Sequence, residues 1–277
     1  MERPVRDPRL RTALNEATLL PLDAAEFAKI AGEAGFQGVE FRIEKVESRE
    51  KAGELRGILQ RYGLRAVSLN ALEDFSLCSP AKFRRMVRRT ELLFDEICGT
   101  LDCDLVVAVP SFLPQAPSSK DTIKRMTSER LRVLAEMARE HGIRIGFEFL
   151  GFRTCSINRL ADAWRLVREL NLENLGLVID TFHLHLSGEL LEPLPPQRIF
   201  LVHVNDAPRL ERNKLEDKHR VLPGAGTLPL KEFLGGLMRT GYRGFLSVEL
   251  FNREYWQREP RWVASEALKT LEHILAI

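Results

Sequence analysis

Four residues interrupt apolar runs in a way that suits a divalent cation. Glu148 falls in Ile145-Gly146-Phe147-Glu148-Phe149 and Asp180 closes Leu177-Val178-Ile179-Asp180. His203 falls in Phe200-Leu201-Val202-His203-Val204 and Glu249 in Leu246-Ser247-Val248-Glu249-Leu250. A carboxylate in apolar surroundings is costly without a partner, and several gathered together repel. A divalent cation removes both penalties. Three carboxylates and one imidazole make a mixed oxygen and nitrogen set that suits Mn2+, Mg2+, Co2+ or Zn2+, and composition does not choose among them. The other reading gives each residue its own hydrogen bond or salt bridge. It would have to hold four times, on four successive runs. Asn15, Glu40 and Asn70 take the corresponding place at the ends of earlier runs.

Two more residues are candidates for substrate contact. His183 follows Asp180 in Asp180-Thr181-Phe182-His183-Leu184-His185, where it leaves the run just after a proposed ligand. The bland alternative is a polar loop residue, and His185 has the weaker claim of the two. Arg220 opens the turn Arg220-Val221-Leu222-Pro223-Gly224-Ala225-Gly226, which can carry a cation over a site or leave it in solvent.

Residues so far apart in sequence meet only if the runs are parallel strands that end on one face. Candidate strands are 11–15, 38–42, 65–70, 104–110, 144–149, 175–180, 199–205 and 244–250. Continuous apolar runs such as Leu105-Val106-Val107-Ala108-Val109 suit strands covered on both faces. Helical segments are expected at 23–34, 79–98, 122–141, 158–170, 230–240 and 261–277. Pro80 suits a first helical position, and Gly35, Gly63, Gly142 and Gly241 suit helix ends. Eight strands in 277 residues give a repeat of about 35 residues (277/8), the proportion of a (β/α)8 TIM barrel. No linker composition divides the chain, so residues 1–277 read as a single barrel domain. A doubly wound sheet would call for a glycine loop after the first strand, where Asn15-Glu16-Ala17-Thr18 stands instead.

Composition narrows the partners. Lys and Arg number 41 against 39 Asp and Glu, a net charge of +2 (41 − 39). That argues against a general nucleic-acid coat or a polybasic membrane binder, while leaving room for a local basic groove. The cysteines Cys78, Cys98, Cys103 and Cys155 have neither CxxC nor zinc-finger spacing, so reduced thiols in the cytoplasm are expected. The first residues, Met-Glu-Arg-Pro-Val-Arg-Asp, lack the apolar core of a signal peptide. No run approaches the ~20 apolar residues of a membrane span. Lys82-Phe83-Arg84-Arg85-Met86-Val87-Arg88-Arg89 is basic, but its apolar residues share one helical face, so a solvated helix is expected. Trp164, Trp256 and Trp262 read as packing residues, with Trp256 the one able to approach the site.

These residues together resemble the xylose isomerase-like TIM barrels, and among them the inosose isomerases of inositol catabolism. The stretches that carry the likeness include Leu14-Asn15-Glu16-Ala17-Thr18, Leu69-Asn70-Ala71-Leu72, Phe147-Glu148-Phe149, Gly176-Leu177-Val178-Ile179-Asp180-Thr181-Phe182-His183, Arg220-Val221-Leu222-Pro223-Gly224 and Ser247-Val248-Glu249-Leu250-Phe251. The resemblance implies one divalent metal ion held by Glu148, Asp180, His203 and Glu249, with His183 and Arg220 beside the substrate. It also implies an isomerase that moves a carbonyl along a polyol through a cis-enediolate, with Glu148 and Glu249 carrying the proton. A 3-epimerase of a free ketose shares that chemistry. A type IV apurinic endonuclease needs further His ligands after the third and fourth strands. Asn70 and Pro110-Ser111 stand there, and only Asp217-Lys218-His219 matches in part. A non-catalytic polyol-binding barrel is the reading of a different class. The expected partner is a small polyol or ketose, not nucleic acid or a membrane. Such barrels often form homo-oligomers, although no interface signature stands out. The loop 206–219 carries Arg209, Arg212, Lys214 and Lys218, and over the mouth it would favour an anionic substrate.

Overall fold

A computed structural model describes residues 10–115, 119–191 and 193–276. The opening stretch Met1 to Asp7, Glu192 of the proline-rich loop and the final Ile277 lie outside the described residues. Eight parallel strands close into a barrel in sequence order. They are β1 (Arg11–Asn15), β2 (Gly38–Arg42), β3 (Arg65–Leu72), β4 (Leu105–Ala108), β5 (Arg144–Glu148), β6 (Leu175–Asp180), β7 (Ile199–Val204) and β8 (Phe245–Val248). Every expected strand is present. β8 pairs with β1 through Arg11↔Phe245 to Leu14↔Val248, which closes the ring.

The helices are α1 (Ala24–Ala34), α2 (Arg49–Tyr62), α3 (Pro80–Leu92), α4 (Gly99–Leu101), α5 (Lys120–Glu140), α6 (Leu160–Leu170), α7 (Thr181–Ser187), α8 (Leu230–Arg239), α9 (Arg253–Trp256) and α10 (Pro260–Leu275). Local chemistry sets their ends. Asp23 Oδ1 accepts from the amides of Ala25 and Glu26 to open α1, and Gly35 closes it at φ +98°. Ser79 caps α3 with Pro80 at the first position. The basic stretch 82–89 lies on α3 with Phe83 and Met86 packed on the core and Arg84, Arg85, Arg88 and Arg89 outside or at the rim.

Three helices depart from the sequence reading, the shortest being the single turn α9, capped by Asn252. α2 was not expected. Its 14 residues include two glycines and six charged side chains, and only Ala52, Leu55 and Leu59 are buried, so the apolar period is thin. The stretch after Asp180 is also helical rather than a loop, because Asp180 ends β6 and caps α7 at once.

Successive strand residues alternate between the interior of the barrel and the helix layer. Ala13, Val67, Leu105, Val107, Val178, Leu201 and Phe245 form a cluster apart from the main core, and they fill the interior. A much larger cluster lies between strands and helices. Among the described residues, no helix is long and apolar enough to cross a membrane.

Candidate metal centre at the barrel mouth

The alternation that fills the interior also aims the site. Gly146 and Glu148, Val178 and Asp180, Leu201 and His203, and Ser247 and Glu249 are each two residues apart on one inward row. The last member of each row stands at the carboxyl end of its strand, the end that carries chemistry in such barrels. The four therefore converge. Each offers a ligand atom, and these atoms lie within 4.8 Å of one another. Among the described residues this is the group of His, Cys, Asp and Glu close enough to share one ion.

His203 sits at the centre. Its Nδ1 is 2.9 Å from Glu148 Oε1, 3.4 Å from Glu249 Oε2 and 4.0 Å from Asp180 Oδ2. Its Nε2 is 3.2 Å from Glu40 Oε2, which also accepts from Ser68 Oγ. A proton on Nε2 donated to Glu40 leaves the Nδ1 lone pair facing the three carboxylates. That arrangement, a carboxylate behind a metal-facing imidazole, fits a cation. Burial alone would lower the His203 pKa, but the charges of Glu249, Glu40 and Glu148 raise it well above the usual histidine range.

The other carboxylates are held by amides and one guanidinium. Asn15 Nδ2 donates to Glu249 Oε1 at 3.0 Å and Asn70 Nδ2 to the same oxygen at 3.4 Å. Asn205 Nδ2 donates to Asp180 Oδ2 at 2.9 Å. Arg220 is 1% exposed and reaches Asp180 Oδ2, Glu249 Oε2 at 3.1 Å and Asp217 Oδ1 at 2.9 Å. Burial would raise Asp180, but Arg220, with His183 and His203, outweighs it and holds Asp180 far below the carboxylate range. Burial, only partly offset by His203 and Arg220, pushes Glu249 up to about 8. Four buried carboxylates, Glu40 included, thus face one guanidinium and one imidazole. The excess of negative charge is the electrostatic condition that a divalent ion relieves.

A cavity of about 500 Å3 opens above this group. Glu148 and Glu249 line it, whereas Asp180 and His203, both fully buried, lie beneath. His183 and Arg220 also line it, so both expected substrate-side residues stand at the mouth. Arg220 Nη2 donates to His183 Nε2 at 3.0 Å, which places the imidazole proton on Nδ1. That buried Nδ1 has no hydrogen-bond partner among the described residues. Burial also lowers the His183 pKa, so the ring is a neutral donor. One wall is apolar, built by Phe112, Leu150, Phe152 and Phe251.

The Arg220 loop is clamped by a residue that sequence reasoning passed over. Asp206 Oδ2 accepts from the amides of Gly224 and Gly226, both at 3.0 Å, and Oδ1 from Leu228 at 2.8 Å. A side chain at Gly226 would put its Cβ 2.3 Å from the Ala207 carbonyl oxygen, so only glycine fits there.

Other expectations are corrected. The basic side chains of loop 206–219 do not line the mouth. Lys214 pairs with Glu211 and Lys218 with Glu216, and Arg212 lines a separate groove. The cations that face the cavity are Arg42 and Arg220. In the Asp217-Lys218-His219 pair, Asp217 holds Arg220 while His219 Nδ1 accepts from its own neighbour's amide, Glu216 N. Trp256 does not reach the cavity and donates instead to the Ala17 carbonyl at 2.9 Å.

The closed parallel barrel with a buried group of three carboxylates and an imidazole at its mouth defines a TIM barrel built around a metal site. The chain belongs to the xylose isomerase-like TIM barrel family, whose profile matches residues 28–272. It is 33% identical to the inosose isomerase of Halalkalibacterium halodurans over 220 residues, covering 78% of this chain and 76% of that one. It is 34% identical to the 3-dehydroshikimate dehydratase of Pseudomonas aeruginosa over 247 residues, 87% of this chain but 38% of that longer protein. Among solved structures, the IOLI protein with a bound zinc atom superposes with a TM-score of 0.90 at 28% identity, covering 96% of this chain and 98% of that one.

Proposed function

We propose that this protein is a metal-dependent isomerase of the inosose isomerase type, which shifts a carbonyl to the adjacent carbon of a cyclic polyol through a cis-enediolate. The observation that carries this reading is the division within the ligand group. Glu148 and Glu249 reach both the group and the cavity, whereas Asp180 and His203 are enclosed beneath. Held by Glu148, Asp180, His203 and Glu249, one divalent ion (Mn2+, Zn2+, Co2+ or Mg2+) would stabilise negative charge on adjacent substrate oxygens as a Lewis acid. Glu148 and Glu249 are the groups in reach of substrate carbon, one removing the proton and one returning it. General acid–base help of this kind contributes roughly 10²–10⁴-fold. His183 offers its unpartnered Nδ1 proton to a substrate oxygen. Arg220 holds Asp180, Glu249 and His183 in register. The apolar wall with Phe112 and Phe152 receives the ring's C–H face.

On this reading the whole chain serves as one domain, its partner is a small polyol, and it works in the cytoplasm without nucleic acid or membrane. Self-association into a homo-oligomer would be read by light scattering. The likeness to the dehydratase favours a second reading, a carboxylated ring ketone as substrate, for which Arg42 on the cavity would have to exchange its pairing with Glu44 and Glu73. Both begin with proton removal beside a carbonyl. A panel of inososes, free ketoses and 3-dehydroshikimate, followed by NMR with each metal in turn, separates them. Carbonyl transfer in an inosose supports the first reading. Turnover of 3-dehydroshikimate alone would replace it with the second, and inversion at one carbon of a free ketose would make the enzyme an epimerase.

A further inference from the structure

The inward rows that end in the site begin, on the floor of the barrel, in arginine. Stepping down by two from Asn15 passes Ala13 and reaches Arg11 in β1. The same step from Glu148 passes Gly146 and reaches Arg144 in β5, and Val67 sits above Arg65 in β3. With Arg243, just before β8, these three line a cavity of about 660 Å3 at the end of the barrel opposite the mouth.

This cavity carries an excess of positive charge, four arginines against two acids. Its acidic residues are Asp104 and Glu173, and Asp104 is taken by Arg144 at 3.0 Å. Among the described residues, Arg11, Arg65 and Arg243 form no ion pair. Burial first, then the nearby charges of Arg65 and Arg144, lower the Arg11 pKa, with Tyr242 and Asp104 acting the other way. Two of the guanidiniums lie over aromatic rings, Arg11 over Phe245 at 4.1 Å and Arg144 over Phe200 at 4.9 Å. Stacking occupies a face of each; Arg144 spends its Nε and Nη2 donors on Asp104, whereas the side-chain donors of Arg11 make no hydrogen bond among the described residues. The Phe200 ring has little room to yield, since a Cβ at Gly176 would lie 2.7 Å from it.

Residues on the floor of such a barrel ordinarily serve stability. Gathered like charges do the opposite, and a concave site of one sign concentrates counter-ions. We propose that the barrel floor is a binding site for a small oxyanion of two or more negative charges, a phosphate ester or a polycarboxylate, separate from the metal-centred mouth. Arg65 and Arg243 are exposed at its rim and act as the entry cations, the stacked Arg11 is the donor at its base, and Arg144, tied to Asp104, closes one side.

The test is calorimetric titration of the metal-loaded protein with inorganic phosphate and, separately, with tricarballylate, at ionic strength held constant with chloride. Saturable binding of one equivalent of at least one probe is expected. Loss of two charge-assisted contacts in an R65A/R243A variant should weaken it by about tenfold or more. Both positions are exposed, and circular dichroism checks that the variant keeps its fold. Arg42→Ala, at the mouth, should leave the affinity unchanged. Phosphate alone would mark a phosphate ester site and tricarballylate alone a polycarboxylate site. No saturable binding of either probe overturns the proposal. So does unchanged affinity in R65A/R243A, or a loss confined to Arg42→Ala.

Discussion

The two halves of the barrel bring unlike groups to the same mouth. Strands β5 to β8 end in Glu148, Asp180, His203 and Glu249, three acids and an imidazole. Strands β1 to β3 bring in Asn15, Glu40 and Asn70, and each of these touches a member of the first set, Asn70 lining the cavity as well. β4 runs on to Pro110 and Ser111 and contributes no side chain to either group. One half therefore supplies charge that can hold an ion, and the other fixes where that charge points. Burial makes this division effective. In a low-dielectric interior an amide or carboxylate behind a ligand governs the ligand's orientation and its proton.

The division is tested most severely at the two glutamates of the second half. Glu148→Gln and Glu249→Gln should each lower turnover by roughly 10²–10⁴-fold. Steady-state rates and deuterium exchange from solvent into substrate measure this. Retention of full exchange and turnover by both variants would remove them from proton transfer.

In the first half, Glu40 should act through metal affinity and the two amides through the set of Glu249. Glu40→Gln keeps the shape but weakens the hold on the His203 Nε2 proton. A change behind a ligand typically costs about 10–100-fold in metal affinity. Competition with a chelator reads this directly. If Glu40→Gln costs turnover as heavily as Glu148→Gln while binding metal normally, the two halves do not divide as described.

A smaller effect is expected at the amides. Asn15→Ala leaves Glu249 Oε1 with only the longer bond from Asn70, at 3.4 Å. Loss of a partner to a buried acceptor costs about 1–3 kcal/mol. It should appear as a drop in kcat of about tenfold, larger than that of Asn70→Ala, with metal content unchanged.

The mildest signature is a proton count. His203 must shed the proton that Glu249, Glu40 and Glu148 favour before Nδ1 can face an ion. Metal uptake near neutral pH should therefore release protons. Its apparent affinity should rise with pH until His203 is neutral and level off above that point. Calorimetry in buffers of different ionisation enthalpy counts the protons. Glu249, pushed up to about 8, adds to the release, so uptake without release would show that both His203 and Glu249 are already deprotonated in the metal-free protein.

Much of this was legible in the chain because it rests on a short period. Every strand appears where an apolar run stands. The interruptions Glu148, Asp180, His203 and Glu249 are visible because an acid or imidazole at an inward position has few reasons to be there. Glu40 sits in Gly38-Val39-Glu40-Phe41-Arg42, an equally clear interruption, yet its role behind His203 was not readable. Nothing local distinguishes a residue that faces an ion from one that faces the ligand's far side. Helix α2 failed for a different reason. Three buried side chains in 14 residues leave too faint a stripe, and its place is set by packing against α1 and the barrel.

Sequence alone determined the barrel, the order of its strands and the four groups at their ends, since all of these follow from hydrophobic period and its interruptions. Tertiary structure decided which way each group points. It enclosed Asp180 and His203 while leaving Glu148 and Glu249 open to the cavity. It drew Arg220 into the carboxylates by way of the Asp206 clamp and kept the cations of loop 206–219 away from the mouth. It also collected Arg11, Arg65, Arg144 and Arg243 on the opposite floor, from positions up to 232 residues apart (243 − 11). The physical reason is that burial and charge pairing depend on distances across the closed ring, and no local pattern along the chain encodes those distances.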